Sequence, residues 1–375
     1  MKRSIEISID AASWRKKAVP AKIQSLQGSR KIDVRNALSH TALWTRPPSF
    51  KGFALGDIWA WLRYLPAMGP GPELRLRREW SDIDSHQKSV LSDEVAVGVV
   101  TSVLANQLGC IDFVETKHAL KTLGRKFSLK PSKKSGPKKS PDYIARLPNR
   151  QFLVLECKGT QSSRQALNNA LEKGKAQKKN LSSKPSTRVY ASVVGGLFIP
   201  QFESNEGPLL TLVDPDWSDT TRALEEEPEA RVLDALTQVS CAKALAAGGY
   251  LMAARALART NVDLLAESEE AVRDALEMAG PPRASLARLV FEDAEQRRMM
   301  LEVVIDANGV AERLRVGSLP GAVRQLATTS LEQSWSSTED GARASVISPL
   351  GVRVSTRLVE TLEPLGQLTI ASVRA

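Results

Sequence analysis

The stretch DYIARLPNRQFLVLECKGT, residues 142–160, constrains the fold more than any other part of the chain. Two short β-forming runs, DYIARL and FLVLEC, flank Pro148, Asn149 and Arg150, which together read as a three-residue hairpin turn. Confining the turn to those three residues makes Leu147 face Gln151 and drops Asp142 opposite Glu156. A two-residue turn would slip the register by one and send Asp142 to the wrong face, or demand a bulge. Asn149 is the expected left-handed residue of the loop. Side chains alternate along a strand, so Glu156 and Lys158 share one face while Cys157, small and apolar, takes the packed side. The spacing therefore predicts Asp142, Glu156 and Lys158 on a common face.

Two carboxylates held side by side on a sheet repel one another unless a cation lies between them. Hard oxygen donors at this density suit Mg²⁺ or Mn²⁺ better than zinc. Lys158, one pleat along, can orient a water, stabilise charge developing on a phosphate, or act as a base if its pKa is lowered. Acids for an ion, a cation beside the reacting group and basic residues for the backbone are what phosphodiester hydrolysis requires.

The charge distribution points the same way. From Thr116 to Arg188 there are nineteen Lys and Arg against three Asp and Glu, a net +16, which leaves −6 for the remainder of a chain whose total is +10. An excess so concentrated is the footprint of a polyanionic partner. Candidate phosphate contacts are Lys133, Lys134, Lys138 and Lys139 in the loop KPSKKSGPKKS, and Lys173, Lys175, Lys178 and Lys179 in EKGKAQKKN. A solvated basic loop is the plainer reading of the first group.

Around the hairpin the elements follow a definite order. SVLSDEVAVGVVTSVLANQLG reads as a largely buried helix capped by Ser89 or Ser92 and stopped by Gly109. CIDFVETKHAL is a strand candidate, SRQALNNALEKGKAQKKNL a helix with a basic face, RVYASVVGGLFI an apolar strand and GPLLTLVDPDW one more. At 375 residues, two or three units are expected. The divisions are a Trp-rich region 1–85 of unassigned role, a core 86–215, a helical region 216–284 broken once at Pro228, and a mixed or β-rich region 285–375. In the first region FALGDIWAWLRYLP reads as a short amphipathic helix, and its tryptophans as core or interface residues. In the last, RLVFEDAEQRRMMLEVVIDANGVAERLRVG alternates like strands around an ANG turn.

Other chemistries find little support. Cys110, Cys157 and Cys241 show no CxxC spacing and lie in apolar surroundings, as reduced buried thiols do, so a structural zinc site is not expected. His40, His86 and His118 are far apart and form no local metal motif. MKRSIEISIDAASWRKK has no apolar stretch behind its basic residues, so a signal peptide is not expected, nor a membrane partner, and a cytoplasmic location follows.

Pro141-Asp142 followed by Glu156-Cys157-Lys158 resembles the PD-(D/E)XK motif of the restriction-endonuclease-like nuclease superfamily. The order helix, strand, PD strand, ExK strand, helix, strand over about residues 86–200 is similar to that superfamily's core. The resemblance implies an α/β fold: a mixed sheet flanked by helices, here with an N-terminal extension and an α-helical plus β-rich C-terminal region. It implies Asp142 and Glu156 as ligands of Mg²⁺ or Mn²⁺ and Lys158 as the catalytic lysine. Glu94 matches by position the acid that many members add from the first core helix, although it also reads as a first-turn acid complementing the helix dipole. Gln177 is the candidate for a glutamine that some branches supply from the next helix, but the tyrosine that follows it in the recombination-nuclease branch is absent. The implied activity is metal-dependent hydrolysis, most naturally endonucleolytic and of DNA, with bacterial defence against foreign DNA as a setting and a protein partner or second copy at the flanking regions. The competing readings are a catalytically silent nucleic-acid-binding or scaffolding subunit, and a coincidental motif in an unrelated α/β domain.

Overall fold

The computed structural model describes residues 1–14, 18–45, 47, 63–124, 140–175, 188–215, 224–293 and 296–374. Seven strands among them build one mixed sheet: β1 (Lys2–Ile9), β2 (Gly28–Asp33), β3 (Phe113–Glu115), β4 (Tyr143–Arg146), β5 (Phe152–Thr160), β6 (Val189–Phe198) and β7 (Leu209–Val213). Their order is β2-β1-β7-β6-β5-β4-β3, with β5/β6 and β1/β7 parallel and the other neighbours antiparallel. Strands from the first thirty-three residues thus extend the same sheet that carries the hairpin.

The β4–β5 hairpin has the expected register. Tyr143 pairs with Leu155 and Arg146 with Phe152, the Leu147 amide donates to the Gln151 carbonyl at 2.9 Å, and the Arg150 amide closes the turn on Leu147 at 3.0 Å. The left-handed residue is Arg150, at φ 62°, and not Asn149. Asn149 is committed elsewhere, since its Oδ1 accepts from the Gln151 amide and its Nδ2 donates to Gln151 Oε1. That side-chain turn passes the reversal to the next residue.

Ten helices are described: α1 (Ala21–Gln24), α2 (Val34–Trp44), α3 (Ser85–Leu108), α4 (Thr116–Thr122), α5 (Arg164–Lys175), α6 (Glu229–Ala247), α7 (Leu251–Arg259), α8 (Glu269–Met278), α9 (Asn308–Arg315) and α10 (Leu319–Thr329). Two of them sandwich the sheet, and a glycine pair on β6 shows how closely. A Cβ on Gly195 would lie 2.5 Å from Val100 on α3, and one on Gly196 2.8 Å from Leu167 on α5. Successive residues face opposite sides, so each glycine admits one helix.

The cap of α3 is Asp84, whose carboxylate accepts from the His86 and Gln87 amides. Ser89 and Ser92, expected at the cap, instead donate back to the Ser85 and Lys88 carbonyls inside the helix. Gly109 ends it at φ 74°, as expected. Among the described helices α3 alone is long and apolar enough to cross a bilayer, and 72% of its apolar window is buried within the protein.

Helices α6 to α8 lead into a second, antiparallel sheet of six described strands: β8 (Arg283–Glu292), β9 (Arg298–Asp306), β10 (Ser336–Asp340), β11 (Arg343–Ile347), β12 (Arg353–Glu360) and β13 (Leu368–Arg374), in the order β10-β11-β12-β9-β8-β13. The ANG segment does not turn between strands but opens α9. Asp306 accepts from the Asn308 amide at 2.7 Å, and Val310, Ala311 and Leu314 then bury one helical face. Most of FALGDIWAWLRYLP, the basic loop about residue 133 and the end of the KGKAQKKN segment lie outside the described residues.

One apolar cluster runs through the molecule, from Ile5 on β1 through α2, α3 and the hairpin to Val354 on β12. Trp14 and Trp44 are buried in it, and Trp335 stacks on His40 at 4.4 Å while donating to the Cys110 carbonyl. All three cysteines are free and buried. A buried polar knot ties α6 to the sheet. Arg146 on β4 and Asp112 are both fully buried and 2.7 Å apart. Thr237 accepts from Arg146 at 2.6 Å, and Ser240 donates to Asp112 at 2.5 Å.

Candidate active site

The paired ladder ends at Tyr143 and Leu155, and just beyond it Asp142 lies near enough to Glu156 for the two charges to act on one another. Glu156 and Lys158 lie across from Val194 and Gly196, on the side of the sheet covered by α5, whereas Cys157 lies across from Gly195 and looks toward α3. Glu156 and Lys158 therefore share a face, with Asp142 beside them at the strand end. The Cys157 amide donates to Asp142 Oδ2 at 2.9 Å, which fixes that carboxylate against the end of β5. Lys158 Nζ donates to Glu156 Oε1. Glu156 Oε2 is buried and has no hydrogen-bond partner.

The electrostatics are those of crowded acids with one cation. Burial, aided by the neighbouring Glu156 charge, lifts the Asp142 carboxyl to about 6, against the lowering pull of the Cys157 amide and Lys158. For Lys158, burial acts to lower the pKa, but the Glu156 hydrogen bond and the charges of Glu156, Asp142 and Asp93 outweigh it and the net shift is upward. A lysine so held is a cation, so the base role considered for it is not favoured. Burial, with Asp142 and Glu156 close by, raises the Cys157 thiol well above its ordinary value, leaving it inert.

The acid that α3 brings to this group is Asp93, one residue from the expected Glu94. Asp93 Oδ1 accepts from the Gly159 amide at 3.3 Å, and its charge acts on both Lys158 and Asp142. Desolvation raises the Asp93 carboxyl, opposed by that amide and by Lys158. Glu94 points to a different partner, accepting from the Tyr64 hydroxyl at 2.5 Å, and burial raises its pKa. Residues 93 and 94 sit about 100° apart around the helix, so only one of them can face the strand end.

Gly159 makes this contact possible. A Cβ there would stand 1.9 Å from the Ser92 carbonyl oxygen, so any side chain would push α3 off β5. Gln161, two residues on, reinforces the junction by donating to the Lys88 carbonyl at 2.7 Å. The sequence signal for Asp93 was available in the Asp93-Glu94 pair and in the glycine directly after Lys158, but choosing between two adjacent acids needs the helix phase.

Lys173 and Lys175 belong to the last turns of α5. Lys133, Lys134, Lys138, Lys139, Gln177, Lys178 and Lys179 lie outside the described residues.

Whether the donors fit Mg²⁺ or Mn²⁺ can be tested on the oxygens. Glu156 Oε2 is a buried acceptor without a donor, and Asp142 stands beside it with one oxygen on the Cys157 amide. Among the described residues no group of three or more His, Cys, Asp or Glu side chains could enclose a metal ion. Two carboxylates suit Mg²⁺, which keeps several waters and takes further oxygens from a phosphate. The residues present fit such an ion.

Comparison with protein-family models, with curated proteins and with solved structures gives no match for this chain.

Proposed function

We propose that the chain is a metal-dependent nuclease of the restriction-endonuclease-like type, hydrolysing phosphodiester bonds, DNA being the favoured substrate. The observation that carries this reading is the gathering of Asp142, Glu156 and Lys158 at the end of β5: the Cys157 amide holds Asp142, Lys158 donates to Glu156, and Glu156 Oε2 is buried without a partner. The element sequence is α3, β3, α4, β4, β5, α5, β6, the expected order with one short helix inserted where the end of CIDFVETKHAL was expected to continue as strand; that order and the net +16 of the surrounding region support the reading. A bound divalent ion would supply Lewis acidity and an activated water. Asp142 and Glu156 would hold that ion. Lys158, kept protonated by its acidic neighbours, stabilises charge as it builds on the phosphate oxygens. Asp93 acts on Lys158 through its charge from the side of α3, its Oδ1 accepting from the Gly159 amide.

The test is cleavage of supercoiled plasmid, linear duplex and single strands with Mg²⁺, Mn²⁺ or EDTA. Asp142→Ala and Lys158→Ala should each lower the rate at least about 100-fold, while salt-sensitive DNA binding by Lys158→Ala persists. Cleavage that survives both substitutions would sink the assignment. Binding with no cleavage by the unaltered chain under any of these ions would favour the silent scaffolding role.

A further inference from the structure

Each sheet ends in two outer strands, and the unpaired amides and carbonyls of an outer strand are a template for another chain. Three of these four edges are guarded. Strand β3 is only three residues long, β2 exposes Arg30 and Lys31, and β10 exposes Glu339 and Asp340. Strand β13 is different. Its seven residues, LTIASVR, hold no proline, no glycine and no charge before Arg374. Their pairing with β8 runs from Leu368 to Arg374 without a bulge.

The hydrogen bonding fixes which groups this edge offers. The Val290 amide donates to the Gln367 carbonyl at 3.0 Å as β13 begins. Hydrogen-bonded pairs alternate along an antiparallel ladder. Thr369, Ala371 and Val373 therefore bond to β8, while the amides and carbonyls of Leu368, Ile370, Ser372 and Arg374 point outward. Among the described residues no strand lies beyond them to receive those groups.

The outward set is complementary to itself. Turned about a two-fold axis through Ala371 and normal to the sheet, a second β13 runs antiparallel to the first. Leu368 then faces Arg374 of the copy, and Ile370 faces Ser372. These are the four residues whose backbone groups point outward, so all of them find partners. Ala371 meets itself on the axis in a non-hydrogen-bonded pair, the closer kind, where a small side chain fits. No like charges stand opposite one another, and Leu368, 44% exposed in the single chain, gains a neighbour.

We propose that β13 pairs with β13 of a second copy, joining two six-stranded sheets into one continuous sheet. The contact is isologous and closes on itself. It rests on the backbone edge and not on the nuclease reading.

Sedimentation velocity of the full chain between about 1 and 200 μM would test it, since a single strand pair belongs to the weak end of protein interfaces. The mass should move from monomer toward dimer across that range. Ser372→Pro removes an outward donor without touching the β8 ladder, as proline is tolerated on an edge strand where the amide faces solvent. It should weaken dimerisation at least tenfold, with circular dichroism and urea midpoint unchanged. Ala371 is partly exposed, so it can be replaced by a charge. Ala371→Lys and Ala371→Glu should each stay monomeric, because each sets like charges together on the axis, while an equimolar mixture of the two should dimerise at least as tightly as the unaltered chain. A chain that is monomeric throughout overturns the proposal. So does a dimer that survives both Ser372→Pro and Ala371→Lys, or a mixture of the two charged variants that stays monomeric.

Discussion

Asp142 carries an unusual cost for a carboxylate. Its pKa of about 6 in the folded chain, against an ordinary 3.8, means that the native state holds a proton that the unfolded chain has released. Stability from this group is therefore full below about pH 4 and falls as pH rises through 6. A shift of this size corresponds to on the order of 3 kcal/mol by pH 7. Asp142→Asn should raise the melting temperature at pH 8 and flatten its fall between pH 5 and pH 8, as differential scanning calorimetry would show. Cation binding should run the other way, strengthening as Asp142 ionises through pH 6, which Mn²⁺ titrations followed by electron paramagnetic resonance would detect. Much of this was legible in the sequence. Strand alternation and a three-residue turn were enough to give the hairpin register and to set Glu156 and Lys158 on one face. The identity of the left-handed residue was not, because Asn149 could either adopt that conformation or bond to Gln151 through its side chain, and only the second occurs.

Helix α3 and strand β5 meet where Gly159 has no side chain, and that contact sets both the depth of the helix and the reach of Asp93. Gly159→Ala should cost about 3 kcal/mol in urea unfolding, the upper end for an overpacked core. Asp93→Asn should leave stability nearly unchanged but lower the pKa of Lys158, read by ¹⁵N-detected titration of the lysine amine, because one of its three acidic neighbours is neutralised. The existence of α3 and of the strands followed from apolar pattern and turn residues. Its start did not, since Asp84 lies before a polar turn that shows no apolar period, and the serines inside the helix imitate caps. The ANG segment misleads for a similar reason. It looks like a hairpin turn, but Asp306 accepts from the amide of Asn308 and the following Val310, Ala311 and Leu314 need a helical face to be buried together.

At the scale of the molecule, the tie between Arg146, Asp112, Thr237 and Ser240 joins β4 to α6 across the interior. No periodicity announces it: the partners of Arg146 lie 34 and about 90 residues away. Arg146→Met alone should cost about 3–5 kcal/mol by leaving Asp112 charged and buried, while Arg146→Met with Asp112→Leu should recover most of it. Chemical denaturation of the two variants would measure the difference. A chain ending at residue 215 would lose Thr237 and Ser240 and uncover Ile144, Phe152 and Val154, which pack with Val232 and Leu236. The β4–β5 hairpin is consequently a poor graft. Recombination or protein engineering that moved residues 86–215 into a new scaffold would transplant the acids and the lysine but strand a buried guanidinium. The smallest portable unit is the hairpin together with a helix encoded some eighty residues downstream.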